Sequence, residues 1–558
     1  MRPRSWRFLL GLLLLLPFAA CGGGSDSYVS PDALITLQAQ FEKPTLTPAG
    51  LGATTLRPAR YCWAEVRDAS SGSLLASGYL GSDGTGRTTV PKGLQVYVQV
   101  FADYQVPSAD PASSFLRGSV RNAPLPATTL TNAAFDAIPE WSVTSNTFLA
   151  DRDGTLAVTA QASNRIAGAF NIADQAVTFA AAVRDMDGST TLRLPDLHTF
   201  WTTSTNAADQ QRTYPTVLTG SGSTILVSGQ GRALFGHQVY GLGSGAPNTE
   251  TDEWDDGVLQ ESFARLLFAD YSFKPDGSSN LSLLRRDNDN VWVDRGVQSE
   301  STAAFVAGYS DFLAGAVRNN SQILDSYVDG AGVARVDVFD LTDHAYVPAA
   351  AKGEFARGSV AVSLWGLWKN VLGGGSTGLN TLWAAVRSTQ AYPNGTGEYE
   401  QATLGCYPTY LQGVASRTTA TTWQSALNEL ALESVPSPDA TYFAGTALWL
   451  TRSLPFADSG SLQTYAPSLG YYYDRDQSQA WRFVHIGGAR TITMTPTSGQ
   501  DFYLELIGPG GWVAGSYSNP GSTRTLTFSN LAAGTYVARV RTGATTATGT
   551  NTYTISVN

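Results

Sequence analysis

Helical periodicity is confined to the middle of this chain, and that confinement restricts the fold more than any other feature. Ile172, Ala176, Phe179 and Val183 recur at the spacing of one helix face, as do Leu259, Phe263 and Leu266, and then Phe305, Tyr309, Phe312 and Ala316. The segments SVAVSLWGLWKNVL and TTWQSALNELAL read as helices too, and the short strands TILVSG and ALFGHQVYGLG lie between the first two helical stretches. On both sides the period drops to two. Short alternating runs such as ALITLQAQF and LQVYVQVFAD precede the helical region, and AWRFVHI, RTITMTP and TRTLTF follow it, punctuated by turns such as SSGS and SDGTG. The pattern predicts a multidomain α+β chain in which two β-sandwiches flank a mostly helical α+β body.

At 558 residues the length suits about three domains. We place a leader at 1–20, a flexible polar tether at 21–28, a β-sandwich at 29–139, the α+β body at 140–445 and a second β-sandwich at 446–558. The tether, GGGSDSY, has the composition of a flexible coil.

The leader has a basic start (Arg2, Arg4, Arg7), an apolar run from Phe8 to Phe18, and Ala19 and Ala20 directly before Cys21. That is the pattern of a cleaved secretory signal. Its apolar run is about half of the roughly 20 residues a spanning helix needs. No later run is expected to approach a membrane span. The sequence PFAAC resembles the lipobox of bacterial lipoproteins, with Phe18 where Leu is usual. The resemblance implies that Cys21 is acylated after cleavage and ties the chain to the cell envelope. Gly22 after the cysteine, in place of an aspartate, resembles the context of outer-membrane lipoproteins. An oxidising envelope permits Cys62 and Cys406 to pair.

Net charge is −10, and loss of the leader arginines makes the balance more acidic still. Nucleic acid is excluded as a partner on this ground. The membrane, through Cys21, and an unidentified protein or glycan are the expected partners.

Further resemblances concern families. ARYCWAEVRDASSGSLLASGYLGSDGTGRTTVP resembles the carboxypeptidase-regulatory-like, transthyretin-like modules, and LAAGTYVARVRTG with the closing strand TYTISV resembles the pre-peptidase C-terminal domain of secreted peptidases. Between them AFNIADQAVTFAAAV, LPDLHTFWTTST, HQVYGLG and TDEWDDGVLQESFARLLFADYSF resemble, in order and spacing, secreted zincin-type metallopeptidases approaching their zinc helix. Active members carry His-Glu-x-x-His there. Two histidines at i and i+4 share a helix face and bind one zinc, and the intervening glutamate activates its water.

Carried onto this chain, the histidine positions fall on Glu261 and Arg265, the general base on Ser262 and the third ligand on Ala307. A slip of one residue gives Gln260, Glu261 and Ala264, and Glu300 is an ill-placed substitute for the third ligand. The resemblance therefore implies a degenerate, inactive member with no catalytic residues and no zinc. An active hydrolase with rearranged ligands is the alternative. Glu261 and Arg265 are spaced for an i, i+4 ion pair in the space of the lost metal.

The four histidines, His198, His237, His344 and His485, give no i, i+4 pair. Ser376 in GGSTG matches G-x-S-x-G, but a helix-like segment precedes it where a nucleophile elbow needs a strand. Asp252, Glu253, Asp255 and Asp256 are expected to cap the helix that follows, with calcium as the alternative role. Asp151 to Thr155 and Asp287 to Asn290 are further oxygen-rich turns without an EF-hand pattern. The aromatic segment LGYYYDRDQSQAW is a candidate binding surface.

Overall fold

The computed structural model describes residues 31–108, 114–123, 132–188, 194, 196–201, 219–220, 223–224, 232–236, 249–271, 295–296, 301–329, 331–386, 407–438, 449–464, 478–497, 500–508, 511–516, 521–542 and 549–558. Cys21 and the tether, His237, Asp287 to Asn290, Glu300, Cys406 and most of the LGYYYDRDQSQAW segment fall outside them, as does the side chain of Arg265.

The chain is multidomain α+β. Its first strands are β1 (Asp32–Thr47), β2 (Gly50–Pro58), β3 (Cys62–Asp68), β4 (Leu74–Tyr79), β5 (Thr85–Pro91), β6 (Gln95–Pro107) and β7 (Ser114–Asn122). Strand β1 alternates buried and exposed along most of its length, which is what one packed sheet face requires. After the short helix α1 (Asn132–Ala137) come β8 (Ser142–Thr144), β9 (Phe148–Leu149), β10 (Gly154–Ala160), helix α2 (Ile166–Asp187) and β11 (Asp196–Trp201). The short pair β12 (Thr219–Gly220) and β13 (Ser223–Thr224) and strand β14 (Arg232–Gly236) follow.

The expected boundary between residues 139 and 140 is crossed by four backbone ladders: β8 and β9 pair antiparallel with β6, and two further ladders are parallel. Strand β10 pairs in parallel with β1, from Ile35 opposite Gly154 to Phe41 opposite Ala160. Strand β11 pairs in parallel with β7, and β14 continues that sheet. Parallel pairing joins segments far apart in sequence and leaves no hairpin signature. One sheet runs β10-β1-β2 with β5 also on β1, and a larger one runs β14-β11-β7-β6-β3-β4. At the β7–β11 crossing a Cβ on Gly118 would lie 2.0 Å from the Leu197 carbonyl oxygen, so only glycine admits that approach. Residues from Ala33 to Val435 belong to one continuous apolar core.

Helix α2 shows why. It is apolar on nearly every side and touches β1, β6 and β7 as well as later helices. Ile172, Ala176, Phe179 and Val183 are all buried, as the periodicity predicts. By length and composition α2 is also apolar enough to cross a membrane, contrary to the expectation of no such run beyond the leader. Most of its side chains are spent inside the protein.

The remaining elements are a 3-10 turn at Asp252–Trp254, helices α3 (Asp256–Tyr271), α4 (Ser301–Arg318), α5 (Arg357–Gly366), α6 (Gly375–Val386), α7 (Tyr407–Ala415) and α8 (Ala420–Leu432), and a sheet of β15 (Thr249–Glu250), β16 (Gln322–Val328) and β17 (Ala334–Asp340). Helices α3, α4 and α5 pack in succession, with Leu259, Phe263, Phe305, Tyr309 and Phe312 buried among them.

Beyond residue 449 all described regular structure is strand. A five-stranded sheet holds β18 (Trp449–Thr451), β20 (Ser478–His485), β22 (Phe502–Gly508), β23 (Gly511–Ser516) and β25 (Gly534–Thr542). A four-stranded sheet holds β19 (Phe456–Thr464), β21 (Gly488–Pro496), β24 (Arg524–Leu531) and β26 (Gly549–Val557). Trp481, Phe483, Ile492, Leu504, Val540 and Ile555 are among the buried side chains of a core separate from the first.

Candidate functional site

The acidic stretch before α3 does not act as a cap. Only Asp256 lies in the helix's first turn. The other carboxylates are turned into tertiary contacts by the 3-10 turn, which sends neighbouring side chains in different directions. Glu253 is buried and takes Nε of Arg165 at 2.7 Å. Asn171 Nδ2 donates to the Glu253 carbonyl at 2.7 Å, and Lys43 pairs with Asp256. Gly168 on α2 makes the approach possible, since a Cβ there would lie 2.6 Å from Glu253 Cγ. Burial raises the Glu253 carboxyl above its ordinary range, against the pull of Arg165.

Asp252 and Asp255 face the other way, onto β16. Asp255 accepts the backbone N–H and the hydroxyl of Ser326, each at 2.5 Å. Oxygens of Asp252, Asp255 and Asp325 lie within 4.8 Å of one another. Burial pushes the Asp325 carboxyl up to about 6; Arg295 opposes the rise, and the charges of Asp337 and Glu261 add to it. Burial, with the charge of Asp325, raises Asp255 well above the ordinary range. Asp252 and Asp325 share a hydrogen bond, so a proton can relieve the repulsion there. The oxygen donors are of the type that hard cations such as calcium select. Of the four residues expected to serve calcium, two belong to this cluster, while Glu253 and Asp256 are drawn off by Arg165 and Lys43. Asp325 replaces them. Its place in QILDSYV carries no sequence signal, because the cluster forms only when β16 docks against the turn.

Next to this cluster lies an ionic relay. Arg357, 1% exposed at the start of α5, donates through Nη2 to Glu261 at 2.9 Å and through Nε to Asp311 at 2.6 Å. Arg295 Nη2 reaches Asp311 Oδ1 at 3.0 Å. Burial by itself would raise the Asp311 carboxyl, yet Arg295 and Arg357 hold it down at about 2. Bidentate guanidinium contact with a carboxylate is among the stronger charge-assisted geometries.

These contacts locate the residues at the positions where the resemblance would put metal ligands. Glu261 is buried and held by Arg357 from α5, a tertiary ion pair. The i, i+4 pairing expected between Glu261 and Arg265 lies outside what is described, since the Arg265 side chain does. Ser262 is buried with no hydrogen-bond partner for its hydroxyl among the described residues, and Ala307 is fully buried on α4. Gly308 beside it lets the α5 backbone close in, as a Cβ there would stand 2.6 Å from the Arg357 carbonyl oxygen.

The described histidines are engaged elsewhere. His198 Nδ1 bonds Ser119 Oγ at 2.8 Å, His344 Nδ1 bonds Glu433 at 2.9 Å, and His485 Nε2 faces the Leu531 carbonyl at 3.2 Å. Ser376 is exposed in the first turn of α6, reached from a π-turn (Leu367–Val371) and three successive positive-φ glycines rather than a strand. Asp153 accepts the Leu34 N–H, a structural use of the first oxygen-rich turn. Cys62 is a buried free thiol whose pKa burial raises.

No family model matches this chain, and no curated protein does. Among solved structures, the pre-peptidase C-terminal domain of a collagenase from Bacillus anthracis is 18% identical, over 20% of this chain and 94% of that one, with a TM-score of 0.16. PliG of Aeromonas hydrophila, a periplasmic inhibitor of g-type lysozyme, is 13% identical over 20% of this chain and 96% of its own, with a TM-score of 0.14. CorA, a surface-associated copper-binding protein of Methylomicrobium album BG8, is 12% identical over 20% and 97%, with a TM-score of 0.16. Likenesses at these scores carry no conclusion about what the chain does.

Proposed function

We propose that the chain is a cell-envelope lipoprotein, anchored through Cys21 at the outer membrane, whose zincin-like middle has lost its metal and serves as a binding or structural module. The observation that carries this reading is the Arg357 clamp. At the position the family pattern assigns to a zinc-binding histidine stands Glu261, and a buried guanidinium already sits between it and Asp311. A cation brought to these carboxylates would have to displace Arg357 and leave that charge buried without compensation, which costs several kcal/mol. The partner in this reading is an exposed protein or glycan surface of the envelope.

Elemental analysis of the purified full chain, run beside a casein-cleavage assay, is the test. Zinc far below one ion per chain and no cleavage are expected. Stoichiometric zinc that a chelator removes, together with cleavage that falls with it, would overturn the inactive assignment. The anchor is read separately by metabolic palmitate labelling, which Cys21→Ala must abolish.

A further inference from the structure

We infer that the outer face of the larger N-terminal sheet is a binding platform for an uncharged polysaccharide, centred on Trp63 and Gln99. On β3 the side chains of Cys62, Ala64 and Val66 belong to the core, so Trp63, Glu65 and Arg67 point to the other side of the sheet. The cross-strand register extends these three positions into rows. Trp63 lies between Tyr79 on β4 and Phe101 on β6, and Phe101 pairs in turn with Ser142 on β8. Glu65 lies between Ser77 and Gln99, and Gln99 pairs with Thr144. Arg67 lies between Leu74 and Tyr97. The first row is mainly aromatic and the second consists of hydrogen-bonding side chains, with neighbouring strands about 4.8 Å apart.

The face is open and its geometry is set. Among the described elements none packs broadly across it. Tyr79 is 38% exposed, Trp63, Tyr97 and Phe101 are half-buried, and Leu74, Ser77 and Thr144 are exposed. The Trp63 and Tyr79 rings stand 4.9 Å apart at 65°, forming an angled shelf. Glu65 holds the indole, accepting its Nε1–H through Oε1 at 3.3 Å, and accepts Arg67 Nε through Oε2 at 2.9 Å. Gln99 Nε2 donates to Ser142 Oγ at 3.0 Å, which fixes the amide beside the rings.

These contacts select the occupant. Glu65 and Arg67 cancel each other's charge, and Asp103 accepts the Tyr79 hydroxyl at 3.2 Å. The two central rows therefore offer an ion little, and a chain of net charge −10 adds no attraction for an anionic polymer. A pyranose ring presents C–H groups on its faces and hydroxyls around its edge. It needs aromatic rings to lie on and amide, hydroxyl and carboxylate groups beside them, which are the first and second rows. A protein interface, by contrast, keeps charged groups out of its apolar centre. Here the Glu65–Arg67 pair comes between exposed Leu74 and the aromatic row. The inference rests on the binding-module part of the proposed function and names a glycan as the partner.

The full chain is run by native electrophoresis through gels containing dextran, mixed-linkage β-glucan or galactomannan, with polygalacturonate as the charged counterpart. Retardation by at least one of the three neutral polymers is expected. Trp63→Ala weakens it about tenfold or more and Gln99→Ala a few fold, while Leu56→Ala, on exposed β2, is retarded like the parent. Gln99 bonds another surface side chain and lies outside the core, so its variant keeps the comparison free of unfolding. Retardation that both variants leave intact, retardation by polygalacturonate alone, or retardation by none of the four overturns the platform. Any of these results in protein that also lacks zinc and casein cleavage leaves the inactive assignment standing. Zinc-dependent cleavage in protein whose retardation follows Trp63 and Gln99 overturns that assignment and leaves the platform in place.

Discussion

At the scale of single residues, two neighbouring carboxyl groups are set to respond to pH in opposite directions. Asp325, pushed up to about 6, keeps its proton in the folded state over a range where the unfolded chain releases it. Its contribution to stability is therefore greatest below the ordinary carboxylate pKa near 3.8 and declines as pH rises toward and through 6. Asp311, held at about 2, contributes stability that is complete above 3.8 and is lost as pH falls toward 2. We predict that in chelator-treated protein Asp325→Asn flattens the decline between pH 4 and pH 7 in urea-unfolding midpoints and leaves the acid limb in place. An unchanged decline in the variant would remove Asp325 as its source. Neither behaviour was legible in the sequence: Asp325 sits in an ordinary strand pattern, and Asp311 acquires its two arginines only through α5 and the turn at Arg295.

Among the elements, α2 is the piece on which the others are assembled. Its period was plain in the sequence, as was that of α3 and α4, because apolar residues repeated every three or four positions line up on one side only when the segment is helical. Its burial on nearly every side was not plain, since a periodic stripe identifies one packed face and says nothing of a second. Gly168 is where α2 itself is approached most closely, by Glu253. Gly168→Ala is expected to cost about 1–3 kcal/mol by pushing the acidic turn off α2, offset in part by the roughly 1 kcal/mol by which alanine favours a helix interior, and chemical denaturation reads the difference. A variant as stable as the parent would show that the turn gives way freely. The acidic run itself was legible as a feature but not in its role: helix capping needs side chains turned back on their own helix, and the 3-10 turn turns them outward.

For the whole molecule, the two cores predict how the chain can be divided. A fragment of residues 449–558 contains every residue of the second core and is expected to fold alone, with dispersed amide resonances. A fragment of 29–139 lacks β10 and β11, leaving one edge of β1 and one of β7 without their ladders, and is expected to remain unfolded or aggregate. A well-folded 29–139 fragment would restore the boundary expected from the strand pattern.

Local information was sufficient for the kinds of element and their order: period two at both ends, helical period between, and an α+β body in the middle. These are properties of ten or twenty neighbouring residues, and a sequence carries them directly. It also sufficed to show that histidine is missing at Glu261 and Arg265 and a carboxylate at Ser262 and Ala307, the positions the resemblance assigns to a zinc site, because donor atoms belong to residue types. The parallel strands that join both sides of residue 139, the meeting of Asp325 with Asp252 and Asp255, and the capture of Glu261 by Arg357 were decided by the tertiary structure alone. Each joins residues dozens of positions apart, through burial that makes an unpaired charge or an open strand edge costly, and that cost does not exist until the core has closed.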